Sequence, residues 1–183
     1  MVSLTTPPGR LGSRAPEFDL PGTDGRRHTL ADVRGAHGTV VMFICNHCPY
    51  VKTVREKIVR DMTELASLGV GSVAIMSNDP AAYPEDSFAN MQAIAEQLGF
   101  PFPYLLDETQ KVAKAYGAVC TPDFFGYDRD LALVYRGRLD ASGRSPNLTA
   151  ARELFAAMRE VARGGSAPAI QHPSIGCSLK WHQ

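Results

Sequence analysis

The chain has 183 residues, of which 44% are hydrophobic and 21% charged, a composition typical of one soluble globular domain. Nineteen basic residues balance nineteen acidic ones, so charge gives no reason to expect binding to nucleic acid or an anionic membrane. No apolar run approaches the ~20 residues of a transmembrane helix, and the first residues lack the basic and apolar regions of a secretory signal. We therefore expect a cytoplasmic protein.

Glycine and proline divide the chain into three predicted parts. Residues 1–15 form an N-terminal arm rich in Gly, Pro, Ser and Thr, residues 16–163 form the folded domain, and residues 164–183 form a loose tail. The first elements predicted in the domain are two short strands around a turn and then one helical turn, at 18–20, 27–29 and 30–33.

The most informative stretch joins a predicted strand to a predicted helix. Residues 40–44 are apolar and β-branched, which indicates a buried strand. Apolar residues then recur every three or four positions, which predicts a helix of about five turns ending near Gly69. Cys45 and Cys48 therefore lie where the strand gives way to the helix. A helix start lowers the pKa of a nearby thiol, and the thiolate is the form that attacks disulfides, so the pattern indicates a redox dithiol.

The remaining elements follow in a regular order. A second apolar strand at 70–76 completes a βαβ unit with parallel strands. After it the sequence predicts a helix at 88–98, a strand at 103–106 and a helix that ends near 117. A hairpin follows, with strands at 124–127 and 131–136, and the last helix ends near 161. Two helix starts are predicted from local signals, namely an Asp107–Gln110 capping box and Ser145 as the cap before Pro146.

The order of strand, Cys-x-x-Cys, helix, βαβ unit, Thr121-Pro122, hairpin and final helix resembles the thioredoxin fold over residues 15–163. The N-terminal hairpin and the inserted helix and strand are similar to the redoxin and peroxiredoxin branch. Residues 46–50, 121–124 and 176–181 together resemble a peroxiredoxin-like thioredoxin group. The resemblance implies an α/β fold with a central mixed sheet flanked by helices, a cis bond before Pro122, and thiol–disulfide oxidoreductase activity.

Two departures from these families limit what the resemblance implies. With Cys48 aligned to the peroxide-reducing cysteine of peroxiredoxins, Val41 and Cys45 replace the proline and threonine of the Pro-x-x-x-Thr-x-x-Cys pattern. Thioredoxins also have a buried acid six residues before the first cysteine, where this chain has Thr39. The first departure favours a disulfide oxidoreductase over an efficient peroxidase. The second leaves the proton acceptor for the second cysteine missing or supplied from elsewhere.

The reaction predicted for the dithiol assigns a role to each residue of the motif. Cys45 is the nucleophile, with a pKa below its ordinary value and the greater exposure, and Cys48 displaces the product. Asn46 and His47 are expected to tune the site, His47 by adding positive charge when protonated. The neighbouring acids Asp79, Glu85 and Asp86 are interpreted as capping charges at a helix start.

Outside the motif, Thr121 and Pro122 are predicted to present a backbone edge to an extended substrate. Cys120 and Cys177 are candidates for secondary redox roles. The simpler interpretations are a small buried residue for Cys120 and a free tail thiol for Cys177.

No cofactor and no metal are predicted. Cys-x-x-Cys is also a metal-ligand spacing, but Cys120 and Cys177 are too far apart in sequence to supply a second close pair, so structural zinc is the less favoured interpretation. The expected partners are a disulfide-containing protein or small-molecule disulfide and a dithiol reductant. Two alternatives stay open, namely an atypical thiol peroxidase and a redox-sensing or binding module that does not turn over.

Overall fold

The structure is a computed structural model that describes residues 2–182, with ten strands and five α-helices among them. The strands are β1 (Ser3–Thr5), β2 (Asp19–Pro21), β3 (Arg27–Thr29), β4 (Gly38–Phe43), β5 (Val70–Met76), β6 (Tyr104–Leu106), β7 (Cys120–Thr121), β8 (Asp123–Tyr127), β9 (Leu133–Gly137) and β10 (Ile175–Ser178). The helices are α1 (Leu30–Val33), α2 (Pro49–Ala66), α3 (Phe88–Leu98), α4 (Lys111–Tyr116) and α5 (Glu153–Ala162), and a 3-10 turn covers Pro84–Asp86.

A mixed sheet in the order β6–β5–β4–β8–β9 forms the centre of the molecule. β4, β5 and β6 are parallel, whereas β8 and β9 run antiparallel to their neighbours. Alternate residues of β4 enter two different cores. Val40 and Met42 pack with α2 and α5 on one face, and Val41 and Phe43 pack with α1 and α4 on the other. The predicted α/β architecture, a mixed sheet flanked by helices, is confirmed.

Periodic segments gave accurate bounds. β5 spans the predicted residues, and α2 has 18 residues, which is five turns. The βαβ unit of β4, α2 and β5 is present with its strands parallel. These elements are buried on one or both faces, so hydrophobic periodicity reports them directly.

The predicted capping box before α4 is wrong in its Gln110 half, whereas Asp107 does bind the first turn, its Oδ2 accepting the Ala113 N–H at 2.9 Å. The helix begins at Lys111, and its N-cap residue Gln110 has a φ of 60° with no side-chain capping bond. The Gln110 amide instead donates to the backbone carbonyls of Ser77 and Lys180, each at 2.8 Å. The Gln110 side chain, which the local sequence pattern assigned to the helix cap, is therefore bound to backbone groups outside the helix.

The predicted start of the last helix at Ser145–Pro146 is also wrong, because α5 begins at Glu153. Lys57 on α2 donates to the Asn147 carbonyl at 2.7 Å and to the Asp140 carboxylate at 2.5 Å. These bonds to Lys57 hold the segment before α5 against α2 in an irregular conformation. The backbone carbonyl of Asn147 is thereby paired with a side chain rather than within a helix.

The arm and the tail meet in a second, three-stranded sheet in the order β1–β10–β7. Cys177 lies opposite Ser3 on one side and opposite Thr121 on the other. The prediction of a loose tail is therefore wrong over residues 175–178. None of the described helices combines the length and the apolar character required to cross a membrane.

Candidate redox site

The two motif cysteines lie in the connection between β4 and α2. α2 begins at Pro49 with Cys48 as its N-cap residue, and a proline at the first helical position has no N–H to leave unpaired. The partial positive charge of the helix start therefore lies at Cys48, and the expectation that Cys45 begins the helix is wrong. Residues 46 and 47 form a bend that separates Cys45 from the helix.

Thr121 joins both thiols. Its hydroxyl lies 3.3 Å from Cys45 Sγ, and its carbonyl oxygen accepts a hydrogen bond from Cys48 Sγ at 3.1 Å. The bond between Thr121 and Pro122 is cis, as the resemblance implied. Cys45 and Cys48 are 2% and 0% exposed, so exposure does not single out Cys45 as the accessible thiol.

The two thiols differ in acidity in the opposite sense to the expectation. Burial raises the pKa of Cys45 well above its ordinary value, and the neighbouring Cys48 and the Asp86 charge act in the same direction. The pKa of Cys48 is lowered because its thiolate accepts hydrogen bonds from Cys45, from Cys177 and from the Val51 backbone in the first turn of α2. Burial acts to raise the pKa of Cys48, but these donors outweigh it. These directions make Cys48 the more acidic thiol of the pair.

Asp86 is the buried acid of the site, and its interpretation as a capping charge is wrong. It has no exposed surface, and its Oδ1 accepts the backbone N–H groups of Asn46 at 2.8 Å and His47 at 3.2 Å. Its Oδ2 accepts His47 Nδ1–H at 2.7 Å and Asn78 Nδ2 at 2.8 Å. Burial acts to raise the pKa of Asp86, but the bonds from His47 and Asn78 more than offset it, so the pKa is lowered.

Among the described residues, neither Asn46 nor His47 makes a hydrogen bond to a sulfur atom, although a His47 ring nitrogen lies within 4.8 Å of Cys45 Sγ. The Asn46 side chain donates to the Glu85 carbonyl at 2.9 Å and accepts from the Tyr104 hydroxyl at 3.1 Å. The His47 ring stacks on Tyr83 with a centroid distance of 5.0 Å, and its Nε2 is buried without a partner among the described residues. These contacts orient the loop, and a direct effect of either residue on a thiol stays a prediction.

Asn78 was missed by sequence reasoning. Besides donating to Asp86, its Oδ1 accepts the Lys180 backbone N–H at 2.9 Å, so it links the cysteine loop to the tail. A signal for it existed, because Asn78 follows the end of β5, which is parallel to the strand that leads to Cys45. Residues at the carboxyl ends of adjacent parallel strands meet at one edge of a sheet.

The other two cysteines occupy different surroundings. Cys177 is 1% exposed and shares a core with Cys45 and Cys48, and burial raises its pKa to about 11. Cys120 lies outside that core, and its thiol donates to the Pro122 carbonyl at 3.7 Å. Burial, with a smaller contribution from the Asp123 charge, raises the pKa of Cys120. Cys177 therefore shares a core with Cys45 and Cys48, and Cys120 lies near enough for the Cys48 and Cys177 charges to raise its pKa as well.

One set of donors could in principle hold a metal ion. Single ligand atoms from Cys45, His47 and Asp86 lie within 4.8 Å of one another, and thiolate, imidazole and carboxylate all suit zinc. Both Asp86 oxygens already accept two hydrogen bonds each, so an ion would have to break these contacts. A metal-free site stays a prediction, which the metal content of the purified protein tests.

Solved structures similar to this chain support the fold. A conserved protein of Geobacillus kaustophilus is 49% identical with a TM-score of 0.95, covering 100% of this chain and 97% of that one. The thioredoxin domain of a thiol-disulfide oxidoreductase from Bacteroides vulgatus is 16% identical with a TM-score of 0.59, covering 70% of this chain and 89% of that one. The thioredoxin-like fold predicted from the resemblance is confirmed.

Sequence comparison gives the family. The thiol-disulfide oxidoreductase ResA of Geobacillus thermodenitrificans is 28% identical over 127 residues, which cover 66% of this chain. The match spans 64% of the length of ResA. The AhpC/TSA family matches residues 11–137, which is more than half of this chain and includes the cysteine motif, Asp86 and Thr121. The chain therefore belongs to the AhpC/TSA family.

Proposed function

We propose that the protein is a thiol–disulfide oxidoreductase whose redox pair is Cys45 and Cys48. One observation carries the proposal, namely that both thiols contact Thr121, one through its hydroxyl and the other through its carbonyl. This contact holds the two sulfur atoms on the same residue, next to the helix start that stabilises a thiolate. The similarity to ResA, named a thiol-disulfide oxidoreductase, supports the same reaction class.

The pKa directions favour Cys48 as the attacking sulfur, whereas sequence analysis assigned the attack to Cys45. The Cys48 thiolate attacks a substrate disulfide and forms a mixed disulfide, and one substrate sulfur leaves as a thiolate. Cys45 then gives up its proton and attacks Cys48 Sγ, which releases the second substrate sulfur. Two electrons have moved from the dithiol to the substrate, the Cys45 proton remains on one product thiol, and a Cys45–Cys48 disulfide is left.

A thiol peroxidase is the second candidate, because Cys48 is the N-cap residue of α2 and the chain belongs to the AhpC/TSA family. The Cys48 thiolate would attack hydrogen peroxide, becoming a sulfenic acid and releasing hydroxide. The Cys45 thiol would condense with it to a disulfide and water. The proline and threonine of the peroxiredoxin pattern are absent, so we expect the slower rate with peroxide.

Initial rates with a protein disulfide and with hydrogen peroxide, under dithiothreitol, compare the two reactions. We expect many turnovers of the disulfide, no activity for Cys48→Ser, and a trapped mixed disulfide for Cys45→Ser. Cys120→Ser is the matched control and should keep the wild-type rate. A mixed disulfide trapped by Cys48→Ser and lost in Cys45→Ser would return the attack to Cys45. A single turnover would instead identify a redox-sensing module.

The proposal extends to partners and location. A protein or small-molecule disulfide is the substrate class, and a dithiol reductant regenerates the pair by running the same exchange backwards. The cytoplasm, where thiols are kept reduced, is the proposed location. Cell fractionation tests the location, and the ability of a dithiol protein to sustain turnover tests the reductant.

A further inference from the structure

The C-terminal strand β10 occupies the edge at which an extended substrate was predicted to bind. It runs antiparallel to β7, with Cys177 opposite Thr121 and Ser178 opposite Cys120. A peptide recognised by strand addition pairs with an open strand edge in the same way. The chain therefore places its own cysteine-containing strand where a polypeptide disulfide would lie.

Gly176 allows an unusually close approach of this strand. A Cβ atom at residue 176 would lie 2.1 Å from the carbonyl oxygen of Thr121, which is the oxygen that contacts Cys48 Sγ. Because the obstructing atom belongs to the backbone, it cannot rotate away as a side chain would. A side chain at position 176 is therefore incompatible with the docked strand.

Cys177 lies beside the redox pair in the docked strand. It faces Thr121 across the strand pair and shares a core with Cys45 and Cys48. Its pKa is raised first by burial and then by the neighbouring Cys48. When Cys48 is oxidised to a disulfide it carries no charge, so that second contribution disappears and Cys177 ionises more easily.

The rest of the segment is fastened mainly by backbone hydrogen bonds. Leu179 N–H donates to the Val119 carbonyl at 3.0 Å, and Lys180 N–H donates to Asn78 Oδ1 at 2.9 Å. The same Asn78 donates to Asp86, which holds the cysteine loop. The Asn78 side chain thus connects residue 180 of the tail to Asp86, which holds the cysteine loop.

We propose that residues 175–182 act as an internal substrate strand, which covers Cys45 and Cys48 and must leave before a polypeptide disulfide can pair with β7. The inference rests on the proposed oxidoreductase function. It explains why both thiols are almost fully buried although the reaction requires access to them.

The internal strand also takes part in exchange. In the oxidised protein, the Cys177 thiolate attacks Cys48 Sγ of the Cys45–Cys48 disulfide. A Cys48–Cys177 bond forms, Cys45 leaves as a thiolate, and it takes up the proton that Cys177 lost. No outside oxidant or reductant is needed, because one disulfide replaces another.

The test compares the full-length wild type with Gly176→Ala, which pushes β10 off Thr121 and keeps all four cysteines in the sequence. The matched control is Gly143→Ala, because a Cβ at residue 143 meets no atom within 4 Å. Lys180→Pro is a second variant, since it removes the N–H that docks on Asn78. Circular dichroism checks the fold of each.

Iodoacetamide alkylation of Cys45 and Cys48 and reduction of a protein disulfide are the two rate measurements. We expect both rates to rise about tenfold or more in Gly176→Ala, in line with the destabilisation that overpacking causes. Lys180→Pro should shift them in the same direction, and Gly143→Ala should match the wild type. Equal alkylation of Gly176→Ala and Gly143→Ala would overturn the proposal.

Peptide mapping of the oxidised wild type supplies an independent readout. A disulfide between Cys48 and Cys177, absent from Cys177→Ser, is expected, and a Cys177 that is free at every oxidant level overturns the exchange. If no variant reduces a disulfide but Gly176→Ala still raises alkylation, the proposed function fails while covering of the thiols by β10 is supported.

Discussion

Replacing Asp86 by asparagine tests whether this buried carboxylate organises the redox loop. Asparagine preserves the size of the side chain and one oxygen, so it can still accept the backbone N–H groups of Asn46 and His47. Its amide nitrogen, however, would then face the N–H groups of Asn78 and His47, which now donate to Oδ2. The substitution therefore removes a buried charge and sets donor against donor.

The cost follows from these contacts. Hydrogen bonds to a charged group contribute about 1.5–3 kcal/mol each, and breaking a buried charged pair by removing one partner costs about 3–5 kcal/mol. Because Asp86→Asn keeps part of the network, we expect a loss of about 2–4 kcal/mol in the free energy of unfolding. For a chain of this size that corresponds to a fall of about 5–15 °C in Tm.

Thermal and urea unfolding measure the loss of stability. Glu85→Gln is the control, because the Glu85 side chain is next to Asp86 in sequence, is exposed, and makes no hydrogen bond among the described residues. Removing the Asp86 charge should also lower the pKa of Cys45, since that charge raises it. Titration of thiolate absorbance reports this second effect. The assigned role of Asp86 would be refuted if Asp86→Asn were as stable as Glu85→Gln and its thiols titrated as in the wild type.

Two further predictions follow from acidity. A stabilised Cys48 thiolate favours the reduced dithiol, so we expect a reduction potential above the value of about −270 mV for thioredoxin, that is, a more oxidising protein. Equilibration with glutathione measures the potential. A value at or below that of thioredoxin would contradict the lowered Cys48 pKa. Burial raises the pKa of Asp123 to about 6 despite its bond to Arg136, so its contribution to stability is complete below about pH 4 and is lost as the pH rises through about 6. Relative to Asp123→Asn, the wild type should lose about 3 kcal/mol of unfolding free energy between pH 3 and pH 7 in urea titrations, and parallel pH profiles would contradict this.

Much of the fold could be predicted because its information is local and periodic. The buried strands β4 and β5 and the amphipathic helix α2 repeat their apolar residues at the spacing of their own secondary structure. The dithiol was located for the same reason, since Cys45 and Cys48 mark the change from one period to the other. Where periodicity ended, at the starts of α4 and α5, the capping roles predicted for Gln110 and Ser145 failed, because Gln110 and the segment near Asn147 bind partners elsewhere.

The sequence by itself determined the order of the central-sheet strands and of the helices, and the position of the reactive pair. The tertiary structure alone decided that Asp86 binds the cysteine loop, that Asn78 binds Asp86, and that β10 pairs with β7. It also set the opposite directions of the two thiol pKa shifts, because burial, the Asp86 charge and the donors around Cys48 depend on distances in space. Hydrogen bonds and charges between distant segments leave no periodic trace in a sequence, so their partners become evident only once the chain has folded.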